Sequence, residues 1–183
     1  MKTERIILGI DPGTLILGYG IIKCSGNAVQ LICMDVLRLN KLTDQPIKLK
    51  KIFDTIVNII DEHHPDELAI EAPFFGKNPQ SMLKLGRAQG VAIAAALHRT
   101  LPVFEYSPRK IKQSVTGNGN ASKEQVAAML IKLLNLKTEP TSFDATDSVA
   151  AAMCHYFQRT DTTGTKSYSS WKGFLSDNPG RKK

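Results

Sequence analysis

The stretch R-I-I-L-G-I-D at residues 5–11 decides the architecture. It is apolar on both alternating faces, which suits a central strand covered on both sides. Asp11 closes it, and Pro12-Gly13 turns the chain. Working outward, residues 17–24 form a second strand, and Gly26-Asn27 is a tight-turn signal before a third over 28–39. Connections this short imply an antiparallel meander. Over 44–63 the apolar residues Ile47, Ile52, Ile56, Ile59 and Ile60 recur at the spacing of an amphipathic helix, which Pro65-Asp66 ends. Residues 67–71 are then a short strand which a helical crossover makes parallel to an earlier one. A long helix rich in small residues follows over 79–101, then a fifth strand over 103–106. Ser107-Pro108 opens a short helix to about residue 115. After the loop Gly117-Asn118-Gly119-Asn120, Ser122 and Gln125 make a capping box for a helix over 123–134. Pro140 breaks the chain before a last helix over 143–157.

The order β-β-β-α-β-α-β-α-α-α implies an α/β fold. Its mixed five-stranded sheet has three antiparallel strands plus two parallel ones, with helices on both faces. That is the element order of the ribonuclease-H-like fold. One domain over 1–157 accounts for these elements. Residues 158–183 are rich in Thr, Ser, Gly and Lys and poor in apolar residues, so they read as a basic, flexible tail. Composition is that of a globular chain, at 42% hydrophobic and 22% charged residues in 183. The longest apolar runs fall far short of the roughly 20 residues a membrane helix needs. The charged N-terminus does not read as a secretory signal. Cys24, Cys33 and Cys154 are odd in number and lack CxxC spacing, which suits reduced thiols in a cytoplasm and not a zinc site.

Charge is uneven along the chain. Residues 77–137 carry ten Lys/Arg against two Asp/Glu, whereas 1–76 carry eight against ten and 138–157 none against three. A solvated helical face is the ordinary meaning of such a run; a surface for a polyanion is the sharper one.

Four acids stand out within this pattern. Asp11 ends the first strand and Glu71 the fourth. If those strands are parallel neighbours, both carboxylates lie at the strands' carboxyl ends, where open α/β sheets hold their ligands. Asp144 and Asp147, three apart at the start of the last helix, share one helix face. Each has a plain alternative: a turn, a solvated strand end, acids that complement a helix dipole. Together they describe like charges that are costly to gather unless a cation neutralises them. Oxygen ligands without His or Cys suit Mg²⁺, for which Mn²⁺ can substitute. Two such ions about 4 Å apart can activate water and stabilise the leaving oxygen at a phosphodiester.

Several stretches resemble the RuvC-type Holliday junction resolvases of bacteria. They are I-L-G-I-D-P-G-T with G-Y-G (7–14, 18–20), A-I-E-A-P-F-F-G-K-N (69–78), S-M-L-K-L-G-R-A-Q-G (81–90), E-Y-S-P-R-K-I-K-Q-S-V-T-G-N-G (105–119), A-S-K-E-Q-V (121–126) and D-A-T-D-S-V-A-A-A (144–152). The resemblance covers about residues 5–157 in the family's order. It implies a homodimeric endonuclease of recombination and DNA repair that nicks four-way junctions symmetrically in two strands, with two Mg²⁺ ions per subunit. The family's acidic tetrad falls on Asp11, Glu71, Asp144 and Asp147, and its catalytic basic residues near the scissile phosphate on Lys112 and Lys123. Its stacking aromatic falls on Phe74, beside Phe75. Lys77, Lys84, Arg87, Arg109 and Lys110, with Lys112 and Lys123, are candidate DNA contacts. The helix over 79–101 falls where the family pairs its subunits, and the implied partners are the branch-migration proteins RuvA and RuvB. Three rivals remain at this level. An actin-like ATPase shares Asp-Pro-Gly-Thr but needs a second lobe. A ribonuclease-H-like nuclease on structured RNA lacks P-R-K-I-K-Q. The third is a non-catalytic junction-binding module.

Overall fold

The computed structural model describes residues 4–73, 78–137 and 142–161. Five strands, β1 (Glu4–Asp11), β2 (Ile16–Ser25), β3 (Ala28–Arg38), β4 (Glu67–Glu71) and β5 (Val103–Tyr106), form one sheet in the order β3-β2-β1-β4-β5. β1, β2 and β3 pair antiparallel; β4 lies parallel to β1, and β5 parallel to β4. The helices are α1 (Gln45–His63), α2 (Pro79–His98), α3 (Pro108–Thr116), α4 (Lys123–Leu133) and α5 (Phe143–Asp161). The mixed sheet and helical layers are those expected from the sequence.

Local chemistry sets the helix starts. The Asp44 carboxylate accepts from the Ile47 amide at 3.1 Å, and the Asn78 side chain accepts from those of Gln80 and Ser81. Both halves of the capping box at Ser122 and Gln125 are made. Two ends differ from expectation. α2 stops at His98 and not at 101, because Thr100 takes a left-handed φ of 55° that an α-helix cannot continue through. α5 runs past 157 to Asp161, since Gln158 and Arg159 are adequate helix formers whatever their polarity. The remainder of the expected tail, from residue 162, lies outside the described residues.

Side-chain alternation splits the interior into two cores. From β1, Leu8 and Ile10 face α1 and α2, meeting Ile52, Ile56, Ala88 and Ala92. Ile7 faces the opposite way, toward Ile111, Val126 and Val149 of α3, α4 and α5. β4 repeats the pattern, with Leu68 and Ile70 on the first side and Ala69 on the second. The central strand is therefore buried on both faces, as its double apolar character requires.

Glycines decide how closely α5 approaches. Gly9 is paired with Gly20 across β1 and β2, and Gly18 with Asp11, so all three glycines open on the α5 face. A Cβ at Gly18 would collide with the Asp144 carbonyl oxygen, and one at Gly9 with that of Ser148. These obstacles are backbone and cannot swing aside. Gly18→Ala is expected to cost about 2 kcal/mol or more through overpacking. Urea denaturation checks this, and an unchanged midpoint would contradict the close contact.

Candidate active site

Sheet parity aims two of the four acids. Asp11 follows Ile7 and Gly9 on the α5 face of β1, and Glu71 follows Ala69 on the α5 face of β4. Ile10 pairs with Ile70, so the next residues along these parallel strands, Asp11 and Glu71, end side by side at the carboxyl edge. The glycine contact brings the first turn of α5 to the same place. Carboxylate oxygens of Asp11, Asp144 and Asp147 all lie within 4.8 Å of one another. Glu71 falls outside that trio but shares a cavity of about 740 Å³ with Asp11 and Asp147. Four acids expected as one set thus arrive as three plus one.

Three basic residues line the same cavity: Arg109 and Lys112 from α3, and Lys123 from the start of α4. The Lys123 ammonium lies 2.6 Å from Asp147 and 3.9 Å from Asp144. Gly119 leaves room for the Arg109 side chain, which a Cβ there would strike. Lys84 and Arg87 on α2, and Lys110 on α3, are exposed and do not line the cavity. Phe74, Phe75 and Lys77 lie outside the described residues.

The electrostatics are those of an under-neutralised anion site. Burial, reinforced by the charges of Glu71, Asp147 and Asp144, pushes the Asp11 carboxyl up to about 8, against the opposing pull of Lys123. Glu71 is pushed up to about 7 by burial and by Asp147, with Lys123 and Lys112 acting the other way. Burial works against the charge on Lys123, yet its hydrogen bond to Asp147 and the nearby carboxylates hold its ammonium above the ordinary value. One lysine does not settle the site, since Asp11 and Glu71 stay unfavourable as anions. Hard oxygen donors in like-charge excess fit a divalent cation. Among the described residues this is the one cluster of three or more potential ligands.

Some of this geometry was not evident in sequence. The Lys123–Asp147 pair joins residues on different helices, and no local spacing signals it. The glycines at 9, 18 and 20 have a cue, their recurrence at alternate strand positions. A buried polar chain through Tyr106, His155 and Glu67 has a weaker one, a single His inside an apolar helical run.

Comparison with known proteins agrees with this architecture. A family model described as crossover junction endodeoxyribonuclease RuvC matches residues 7–155. The chain belongs to the RuvC family. Relatives named crossover junction endodeoxyribonuclease RuvC include one from Cytophaga hutchinsonii, 59% identical and spanning 98% of this chain and 89% of its own. Another, from Christiangramia forsetii, is 57% identical over 98% of this chain and 93% of its own. Among solved structures, Thermus thermophilus RuvC in complex with Holliday junction substrate is similar at a TM-score of 0.81. It is 29% identical and covers 87% of this chain and 97% of its own. The yeast mitochondrial Holliday junction resolvase Ydc2, 17% identical with a TM-score of 0.62, shares the fold. Among the described residues no helix is long and apolar enough to cross a membrane.

The raised carboxyl values set a pH dependence. A carboxyl held protonated more tightly in the native state stabilises fully below its unfolded value near 4 and loses that contribution as pH rises toward about 8 for Asp11. In chelator, Asp11→Asn is expected to melt with the parent at pH 4 but several degrees above it at pH 8, at roughly 2–4 °C per kcal/mol. Scanning calorimetry checks this. A variant melting at or below the parent at pH 8 would show that Asp11 carries no such penalty.

Proposed function

We propose that this chain resolves four-way DNA junctions by hydrolysing phosphodiester bonds in the notch of Asp11, Glu71, Asp144 and Asp147. Its family is that of the crossover junction endodeoxyribonucleases, so the chain is a nuclease of recombination and repair. One observation carries the site assignment: Asp11, Asp144 and Asp147 carboxylates lie within 4.8 Å of one another, and two of them, Asp11 and Asp147, line a cavity that three basic residues also line. A similar protein bound to its junction substrate supports the choice of DNA.

Asp11, Asp144 and Asp147 would hold one divalent cation, and Glu71 with Asp11 a second, Mg²⁺ being the expected metal and Mn²⁺ a substitute. Such ions supply Lewis-acid charge at a phosphate and make water more acidic. The protein's own groups do the rest. Arg109 and Lys112 approach from α3 and attract the phosphate into the cavity. Lys112, whose charge already reaches Glu71, is placed to stabilise negative charge developing at the phosphorus centre. Lys123 balances Asp147 and Asp144, and with a divalent cation held there its ammonium would be available to the DNA. Lys84, Arg87 and Lys110 serve as outer positioning contacts, and Phe74, Phe75 and Lys77 are the further DNA contacts that the family resemblance offers.

Paired cuts need two sites, and we assign them to a homodimer joined through α2. Leu83 and Leu97 are exposed there, and the surface above Gly86 and Gly90 is open, which leaves a smooth apolar strip for a second copy. RuvA and RuvB are the proposed partners and the cytoplasm the proposed setting, consistent with three free thiols.

The decisive assay is incubation with a four-way junction, a linear duplex and a structured RNA, with and without Mg²⁺. Symmetric nicks in the junction alone, only with metal, are expected; preferential RNA cleavage, or binding without cutting, would overturn the reading. Lys112→Ala is expected to slow cutting of bound junction about 10²-fold. Its junction affinity should hold within threefold. Equal loss of both would reduce Lys112 to a phosphate contact worth about one unit of salt slope.

A further inference from the structure

Below the site, α5 carries a polar anchor in an otherwise apolar core. His155 is 1% exposed. Its Nδ1 lies 2.6 Å from the Tyr106 hydroxyl, and its Nε2 lies 2.8 Å from Glu67 Oε2. Arg5 stands 3.5 Å from the same carboxylate oxygen, and the Phe104 ring packs on the imidazole at 4.3 Å between centroids. In the tautomer with Nε2–H, the neutral ring donates to the Glu67 carboxyl oxygen and accepts at Nδ1 from the Tyr106 hydroxyl. Burial and the Arg5 charge push the His155 imidazolium down to about 4, so the ring is neutral at pH 7, as this arrangement requires. Apolar residues of similar volume would fill the space at equal or better stability. Stability alone therefore does not account for the chain of hydrogen bonds.

We propose that His155 is a positioning residue: through Tyr106 and Glu67 it fixes the register of α5 on the sheet and so aims Asp144 and Asp147 at Asp11. The inference rests on the site assignment above. Three site-bearing segments meet at this ring. Glu67 opens β4, the strand that ends in Glu71. Tyr106 ends β5 directly before α3, which carries Lys112, and its carbonyl accepts from the Ala72 amide at 2.8 Å, just past Glu71. His155 itself lies two turns beyond Asp147 on α5.

Against β1 and β2 the upper part of the helix rests on bare backbone at Gly9, Gly18 and Gly20, and the remaining contacts there, from Ile7, Ile22 and Cys24, are apolar. Apolar contact is non-directional, whereas a hydrogen bond is confined to a few tenths of an ångström. The Tyr156 hydroxyl donates to the Gly26 carbonyl at 3.1 Å, but that ties the helix to the β2–β3 turn and not to the Glu71 strand. A helix rises about 1.5 Å per residue, so a slip of one residue would displace the aspartates by more than the roughly 1 Å that costs 10²-fold in rate.

Tyr106→Phe removes one oxygen and keeps the ring. It is expected to weaken Mn²⁺ binding to DNA-free protein, read by calorimetry, about tenfold, the lower end for lost support of metal ligands. Cutting of saturating junction should slow by a similar factor, with junction affinity within twofold. Phe104→Leu removes packing without breaking a hydrogen bond of the chain, and should lower the melting temperature at least as much while leaving Mn²⁺ affinity unchanged. If Tyr106→Phe retains parental Mn²⁺ affinity and cutting, or if Phe104→Leu weakens Mn²⁺ binding equally, the chain is ordinary core packing and the inference fails. A parent protein that neither binds Mn²⁺ nor cuts the junction would instead sink the proposed function.

Discussion

Helix α5 reaches Asp11 only because bare main chain lies beneath it at Gly9, Gly18 and Gly20. An ordinary helix packs on a sheet through interlocking side chains. Here the missing Cβ atoms let the helix backbone touch the strand, and the first turn of α5 comes down on the end of β1. Asp144 and Asp147 are short side chains, and from a conventional distance they could not share a pocket with Asp11. The approach at the seam and the chemistry at the mouth are one constraint viewed from two ends.

Closeness has an electrostatic cost. Asp11 is driven to a carboxyl value near 8 and Glu71 near 7, mainly because they are withdrawn from water next to other acids. Lys123 offsets part of this from a neighbouring helix, where the capping box at Ser122 fixes the start of the turn that holds it. The remaining excess of negative charge is stored strain of a useful kind. Such an excess of hard oxygen donors fits a divalent cation, which would offset it. Basic residues on α3 and acids on β1, β4 and α5 thus line one cavity.

Much of this is legible in the sequence. Residues 5–11, apolar on both faces, gave a doubly covered central strand. Short connections gave the meander, and the helix over 44–63 made β4 parallel, which placed Asp11 and Glu71 together. The three-residue spacing of Asp144 and Asp147 gave their shared face. What escaped is what depends on contacts between distant segments. No periodicity reports that Lys123 meets Asp147. Polar composition after residue 157 reads as a break, whereas a helix anchored in a core extends through Gln158 and Arg159 without further apolar support. His155 was hidden for the opposite reason: an apolar run makes one histidine look like a core residue, and its partners Glu67 and Tyr106 lie on two different strands.

The central claim is that Asp11, Asp144 and Asp147 form one cation-binding pocket. Crystals soaked in Mn²⁺ and measured for anomalous scattering test it most directly. The account predicts a strong peak in coordination contact with all three carboxylates, Lys123 having swung off Asp147. Ordered carboxylates with no peak between them at millimolar Mn²⁺, and Lys123 still seated on Asp147, would contradict it.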